Sequence, residues 1–401
     1  MAVRVSVKVG QALGSIHGVG EFGLEVRLKP DVEGLPGLLT TAVDSLYGDR
    51  GWNDLEEAPL GFPDVSPLPA GASLWFDWVD DTDALISLID DLAHALTAAG
   101  LDGQLAPVRS ASTTKSGPPT EYKPCLTAGI ALRLDADAVN ARNGARGGWY
   151  VDPDTTSRVI GFALDWVQAD DQPTLYFHNG TTHSQATREQ LDDLMSTASL
   201  ESSRGGLHKV IAMSGSRLRR LDIDAFGHLL FEIRHTPRTW RTDLESLTGV
   251  LMACAPDARY GFVRRAKTPS HGYDHAVCTW APRPHVEESF QLSAPLIDTL
   301  YVPDVYGVQL LNTEHLSRID GLDGWETRQI GDMTLVSTGN PSAWFDKDGD
   351  ATPEPDVYTA TTFEHEAPSP TRLAAARRQF ADALMTTERV RELQTQPYRN
   401  P

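Results

Sequence analysis

Over residues 74–100 a short, nearly continuous apolar run gives way to a helical repeat within a few positions, and this limits the folds open to the chain. Leu74-Trp75-Phe76-Asp77-Trp78-Val79 reads as a strand. Leu85, Ile86, Leu88, Ile89, Leu92 and Leu96 then recur at the spacing of one helix face. Asp81 and Thr82 suit the start of that helix and Gly100 its end. A strand followed at once by an amphipathic helix buries its apolar face by packing one on the other.

The same signals run along the rest of the chain. Val3, Val5, Val7 and Val9 alternate, as do Leu24, Val26 and Leu28 with Glu25 and Arg27 between them, so both segments are expected as strands. Leu38 to Leu46 is expected as a short helix, and Asp54 to Ala72 as a loop. Ser110 to Pro119 is rich in Ser, Thr, Gly and Pro and reads as a linker. Beyond it, strands are expected at Leu126–Leu132, Arg158–Val167 and Thr174–Phe177, with a helix over Ala186–Ser196. Asp77-Trp78-Val79 recurs as Asp165-Trp166-Val167, a repeat too short to establish duplication.

The last region has further strand signals at Lys209–Met213, Leu229–Ile233, Tyr260–Val263, Ala276–Trp280, Tyr306–Leu311 and Thr334–Ser337. Helices are expected at Thr242–Met252 and Thr371–Leu393. The expected fold is α+β, with mixed or antiparallel sheets and helices packed on one face, in two or three domains. The expected division is residues 1–110, a linker at 111–124, a middle region at 125–200 and a C-terminal domain at 201–401.

Asp and Glu number 55 against 35 Lys and Arg, a net charge of −20. A phosphate backbone is held by a basic stripe, so a nucleic-acid partner is not expected. An anionic membrane surface is disfavoured on the same ground. A basic protein partner fits, because complementary charge speeds encounter. The three cysteines, Cys125, Cys254 and Cys278, include no C-x-x-C pair and do not make a disulfide framework. The alternating N-terminus lacks the apolar run of a signal peptide, and no stretch approaches the ~20 apolar residues of a membrane span. A cytoplasmic protein is expected.

Several local patterns invite chemical readings. Gly18-Val-Gly20-Glu-Phe-Gly23 matches a dinucleotide fingerprint, but a strand pattern follows it where a helix must hold the pyrophosphate. It reads as a glycine-rich hairpin connection, and no cofactor is expected. Ser112-Thr-Thr-Lys115 fits S-x-x-K but lies in the linker. Asp346, Asp348 and Asp350 begin like a calcium loop, yet Ala351 replaces its glycine and Val357 its bidentate glutamate, leaving a solvated acidic turn. His271, His275 and Cys278 are the candidate metal ligands, with His285 as a fourth on paper. That run enters an apolar strand whose neighbours point to opposite faces, so Cys278 also reads as a small core residue. His178 and His183 flank the turn Asn179-Gly180.

Phe231-Glu-Ile-Arg234, Ala258-Arg-Tyr-Gly-Phe262, Val305-Tyr-Gly-Val-Gln-Leu-Leu311 with His315-Leu316, and Ile330-Gly-Asp-Met-Thr-Leu-Val336 stand in that order. Together, over residues 231–345, they resemble the C-terminal part of the type VI immunity family. The resemblance implies a non-enzymatic cytosolic protein that binds and neutralises one toxin. The acidic, aromatic-bearing loops are the expected partner contacts: Trp52, Asp54, Glu56 and Glu57, and Trp344, Asp346, Asp348 and Asp350. Two other readings stand beside it. One is an enzyme or a small-ligand or metal sensor, with His271, Asp274, His275 and Cys278 as first suspects. The other is a structural or phage-related assembly protein.

Overall fold

The computed structural model describes residues 2–14, 20–29, 32, 34–52, 58–108, 125–135, 151–169, 173–178, 183–191, 194–195, 208–214, 217–223, 227–234, 238–266, 299–345, 370–386 and 389. The fold is α+β, with two largely antiparallel sheets, one of them mixed. Two compact units divide it: Met1–Pro118 with Ala145–Trp149 and Leu175–Val210, and Pro119–Gly144 with Tyr150–Thr174 and Ile211–Pro401. Among the described residues no helix is long and apolar enough to cross a membrane.

In the first unit, strands β1 (Val3–Val5), β2 (Gly20–Lys29), β3 (Asp64–Leu68), β4 (Gly71–Val79) and β5 (Asp102–Pro107) form one sheet in the order β1-β5-β2-β4-β3. Only β1 and β5 run parallel. Leu24, Val26, Leu74, Phe76 and Leu105 share a core with Leu39, Val43 and Tyr47 of helix α2 (Leu35–Asp49) and with Leu85, Leu88, Ile89, Leu92 and Leu96 of α3 (Thr82–Ala98). The Asp81 carboxylate accepts from the amides of Asp83 and Ala84 and caps α3 as the sequence predicts.

The N-terminus departs from the expected single strand. Its alternation stops at Val5, and α1 (Val7–Leu13) follows, with Ser6 accepting from the Lys8 amide. Val9 and Leu13, four residues apart, are buried, whereas Val7 is 84% exposed, so the helical spacing outweighs the alternation. The glycine motif also resolves locally. Gly20 and Gly23 lie within β2, Gly18 lies outside the described residues, and a Cβ on Gly23 would meet the Trp75 ring at 2.5 Å. Gly23 makes room for that ring. Strands β7 (Thr174–His178) and β8 (His183–Gln185) form a hairpin, and β9 (His208–Ser214) spans the boundary between units.

In the second unit seven strands run in the order β14-β15-β13-β12-β6-β11-β10. They are β6 (Cys125–Leu132), β10 (Arg217–Ile223), β11 (His228–Arg234), β12 (Ala258–Ala266), β13 (Val308–Leu311), β14 (Trp325–Ile330) and β15 (Met333–Thr338). Every neighbouring pair is antiparallel. Every residue of β6 is buried, so both faces of this central strand are covered. On one face Trp166 of α4 (Pro153–Val167) packs edge-on against Phe231, and Leu251 of α5 (Trp240–Cys254) lies over Gly261. On the other, Tyr306 stacks on Phe262 at 4.5 Å, and Trp325 meets Phe380 and Trp344 of α7 (Ser342–Phe345).

Residues 158–167 were expected as a strand and are helical. Asp152 caps the helix through the Thr155 amide at 2.9 Å, and Pro153 occupies the first turn. Val159, Ile160, Ala163, Leu164 and Val167 are buried, which is a helical face. Asp77-Trp78-Val79 therefore lies in a strand and Asp165-Trp166-Val167 in a helix, which removes the basis for a duplication. The long C-terminal helix is shorter than expected: α8 (Pro370–Gln379) gives way to a 3₁₀ turn at Ala381–Ala383, and Leu384 bridges to Val302. Ala276–Trp280 lies outside the described residues.

Arg377 of α8 fixes that helix by a two-pronged buried ion pair, Nε to Asp304 Oδ1 at 2.9 Å and Nη2 to Asp304 Oδ2 at 2.6 Å. Removing one member strands the other charge out of water. Arg377→Ala is expected to destabilise the fold by about 3–5 kcal/mol, read as a lowered urea midpoint in equilibrium unfolding.

Candidate functional site

Two places in the second unit gather polar side chains. The first is a charged row across the sheet. Arg220 pairs directly with Glu232, Glu232 with Thr127, and Thr127 with Arg264, across β10, β11, β6 and β12. Directly paired residues share a face, so the four side chains form one line opposite α4 and α5. Glu232 Oε2 is 2.8 Å from Arg220 Nη2, and Glu232 Oε1 accepts from Thr127 Oγ1 at 3.3 Å. Asp222, two residues along β10, is 3.0 Å from Arg220 Nε.

All five residues are buried. Burial works against the Arg220 charge, and Asp222 and Glu232 hold its pKa above the ordinary arginine value. The row lies in the interior, where it ties four strands together. Cys125 adjoins it, with Sγ 3.9 Å from Glu232 Oε1. Burial, then the Glu232 charge, pushes the Cys125 thiol well up from its ordinary value. Burial, then Asp257, pushes the Cys254 thiol up to about 12.

The second place is an open cleft of about 490 Å³. Arg133 lies just beyond β6, and its Nε donates to the Ala258 carbonyl at 3.2 Å while Nη2 faces Asp332 at 3.5 Å. Asp332 is in the turn of the β14–β15 hairpin, where Gly331 adopts φ +58°. The third wall is Asn312, the N-cap of α6 (Thr313–Leu316). Its Oδ1 accepts from the His315 amide at 2.9 Å, and His315 Nδ1 accepts from the Asn312 amide at 3.3 Å, a reciprocal capping box. Asn312 Nδ2 donates to the carbonyls of Arg259 and Thr299 at 3.1 and 2.9 Å. Arg259 in turn reaches His228 Nε2 at 3.0 Å and the Leu132 carbonyl. Each polar wall is thereby held in place before any ligand arrives, and the exposed charges, Arg133, Glu314 and Asp332, are of both signs. Such a cleft can orient polar and charged groups of a bound surface.

The residues singled out from the sequence fall elsewhere. Trp52 is half-buried: its ring meets Tyr47 edge-on at 5.4 Å, and Arg50 lies over it at 5.3 Å. Trp344 is 8% exposed and packs on Trp325 at 5.7 Å. Asp54, Glu56, Glu57, Asp346, Asp348 and Asp350 lie outside the described residues, as do the metal candidates His271, His275 and Cys278 with Asp274 and His285. Among the described residues no group of three or more His, Cys, Asp or Glu is placed to hold a metal ion. The charged row was missed because β10 carries Arg219, Arg220 and Asp222, which break its apolar pattern. Its usable signal is the alternation of Arg220 with Asp222. The sequence segments singled out between Phe231 and Val336 contribute to β11, β12, β13, α6 and the β14–β15 hairpin, whose turn and α6 wall the cleft.

No protein-family model matches the chain. No curated protein matches it. The structure is similar to that of a T6SS protein of Pseudomonas aeruginosa, with 11% sequence identity and a TM-score of 0.38, over 69% of this chain and 78% of that one. At that score the likeness decides neither fold nor function.

Two expectations follow. Cys125 and Cys254 stay protonated in the folded protein, so at about pH 8 neither reacts with a disulfide reagent until denaturant is added; residue-resolved mass spectrometry of the labelled protein reads this. Their raised pKa values contribute stability that is complete below the unfolded thiol value of 9.0 and is lost as pH climbs toward about 12 for Cys254. Asn312→Ala removes the cap and both carbonyl contacts, and is expected to cost about 1–3 kcal/mol, with faster amide exchange in Thr313–Leu316.

Proposed function

We propose that this protein is a non-enzymatic binding protein of the cytoplasm, and that its sharpest form is immunity: it captures and neutralises a cognate basic toxin. The observation that carries the reading is how charge is distributed. The chain has a net charge of −20. Among the described residues the arginines turned inward, Arg219, Arg220, Arg259, Arg264, Arg265 and Arg377, outnumber the buried acids Asp222, Glu232, Asp243 and Asp304. Among the described residues the buried interior is thus net basic, and the acid in excess lies outside it. An acidic surface attracts a basic partner at long range and raises the association rate.

The cleft walled by Arg133, Asn312 and Asp332 supports the same reading, since preformed walls lose little freedom on binding. The acidic residues Asp54, Glu56, Glu57, Asp346, Asp348 and Asp350 are the proposed contacts. The similarity to a T6SS protein is compatible with this reading and adds no weight to it.

The test is capture on the immobilised full chain from the native lysate, with salt raised in steps. The expected result is one stoichiometric basic protein whose retention falls as salt rises, and whose toxicity in a naive host is suppressed by co-expression of this chain. Reversal of Asp346, Asp348 and Asp350 to Lys is expected to weaken that capture on the order of tenfold or more. Absence of a retained partner, or a retained protein whose effect is unchanged by co-expression, overturns the reading.

A further inference from the structure

Among the described residues strand β14 ends its sheet and pairs with β15 alone. Its pairing runs unbroken from Trp325–Thr338 to Ile330–Met333, without a bulge, and no proline interrupts it. Glu326, Thr327, Arg328 and Gln329 are all exposed, so neither face of the strand is covered at its middle. A flat, open edge of this kind is a template for another strand unless something blocks it.

Backbone geometry says which groups the edge offers. The two-residue turn Gly331-Asp332 makes Ile330 and Met333 the hydrogen-bonded pair that closes the hairpin. Alternation then turns the amides and carbonyls of Arg328 and Glu326 toward β15, and those of Gln329, Thr327 and Trp325 outward. Two bonds agree: the Trp325 amide donates to the Leu322 carbonyl, and the Thr338 amide to the Gly307 carbonyl, neither across the hairpin.

The side chains of this edge are complementary to themselves. We infer that the outer edge of β14 pairs antiparallel with the same strand of a second copy of this chain, centred on Thr327, to make one continuous sheet through a two-fold dimer. In that register Thr327 exchanges both main-chain bonds with its mate, and each Gln329 amide reaches the opposite Trp325 carbonyl. Glu326 falls directly opposite Arg328, twice by symmetry. These are non-hydrogen-bonded positions, where paired side chains approach most closely. The alternation Glu326-Thr327-Arg328 is what an isologous contact needs, because the patch must complement its own rotated image. Among the described residues the polar contact of the Arg328 side chain is with the Met252 sulfur, at 3.5 Å, and the side chain is exposed to a mate.

The test is sedimentation of the full chain over a range of concentrations. The wild type is expected to show a concentration-dependent dimer. Arg328→Glu puts glutamate opposite glutamate at both positions, and Glu326→Arg puts arginine opposite arginine; each is expected to weaken the dimer on the order of tenfold. The double variant E326R/R328E restores the opposite-charge pairs and is expected to regain wild-type association. Thr327→Pro deletes only an outward amide and is expected to abolish the dimer; circular dichroism and a retained unfolding transition show each variant folded. A monomer at every concentration, which leaves the edge to a foreign strand or to water, overturns the inference. So does a dimer indifferent to the single reversals, or a folded double variant that fails to recover. These outcomes are independent of whether a toxin is captured.

Discussion

The line Arg220–Glu232–Thr127–Arg264 governs how the second unit is put together. Charges taken out of water are costly unless their partners are already in place. These four come from β10, β11, β6 and β12, of which β6 is far from the others in sequence and buried on both faces. The row therefore selects one register. A slip of one residue in β11 would turn Glu232 toward Trp166 and expose Phe231 to the arginines, exchanging every side chain between faces. Hydrophobic matching alone tolerates such errors more readily, since both faces of β6 are apolar apart from Thr127.

Once that register is set, the rest of the unit follows outward. Phe262, one row along β12 from Arg264, pairs with Gln309 of β13, which pairs with Val336 of β15, which pairs with Thr327 of β14. The cleft forms at the end of the same sheet, where Arg133 leaves β6 and the Gly331-Asp332 turn comes beside it. Asn312 ties the start of β12 to Thr299 and closes the third side. The interior row, the cleft and the open edge are thus successive consequences of one sheet.

Buried arginine braces the second unit. Arg219 lies over Trp166 at 5.1 Å and Arg377 is locked to Asp304, so guanidinium groups act here as internal braces on both faces of the sheet. On the proposed reading, the acid that stays outside this core is what a basic partner meets.

The sequence by itself determined most of the elements whose apolar spacing is regular. It placed α3 with its Asp81 cap, the strands around Leu24–Leu28, Leu74–Val79, Leu126–Leu132 and Leu229–Ile233, and the helix over Thr242–Met252, because each shows either a regular period or a short continuous apolar run. It misread Val7, Val9 and Arg158–Val167 as strand, where short apolar runs satisfy both periods and burial in the fold chooses the helix. It passed over β10 and β14, whose charged residues hide their alternation until partners on other strands are known. Neither the charged row nor the cleft was legible, because each is assembled from segments a hundred or more residues apart: Arg133 meets Asp332, and Thr127 meets Glu232, only across paired strands. Local spacing records which face a residue takes within its own element. Which distant residue stands opposite is decided by register, and register exists only once the sheet is formed.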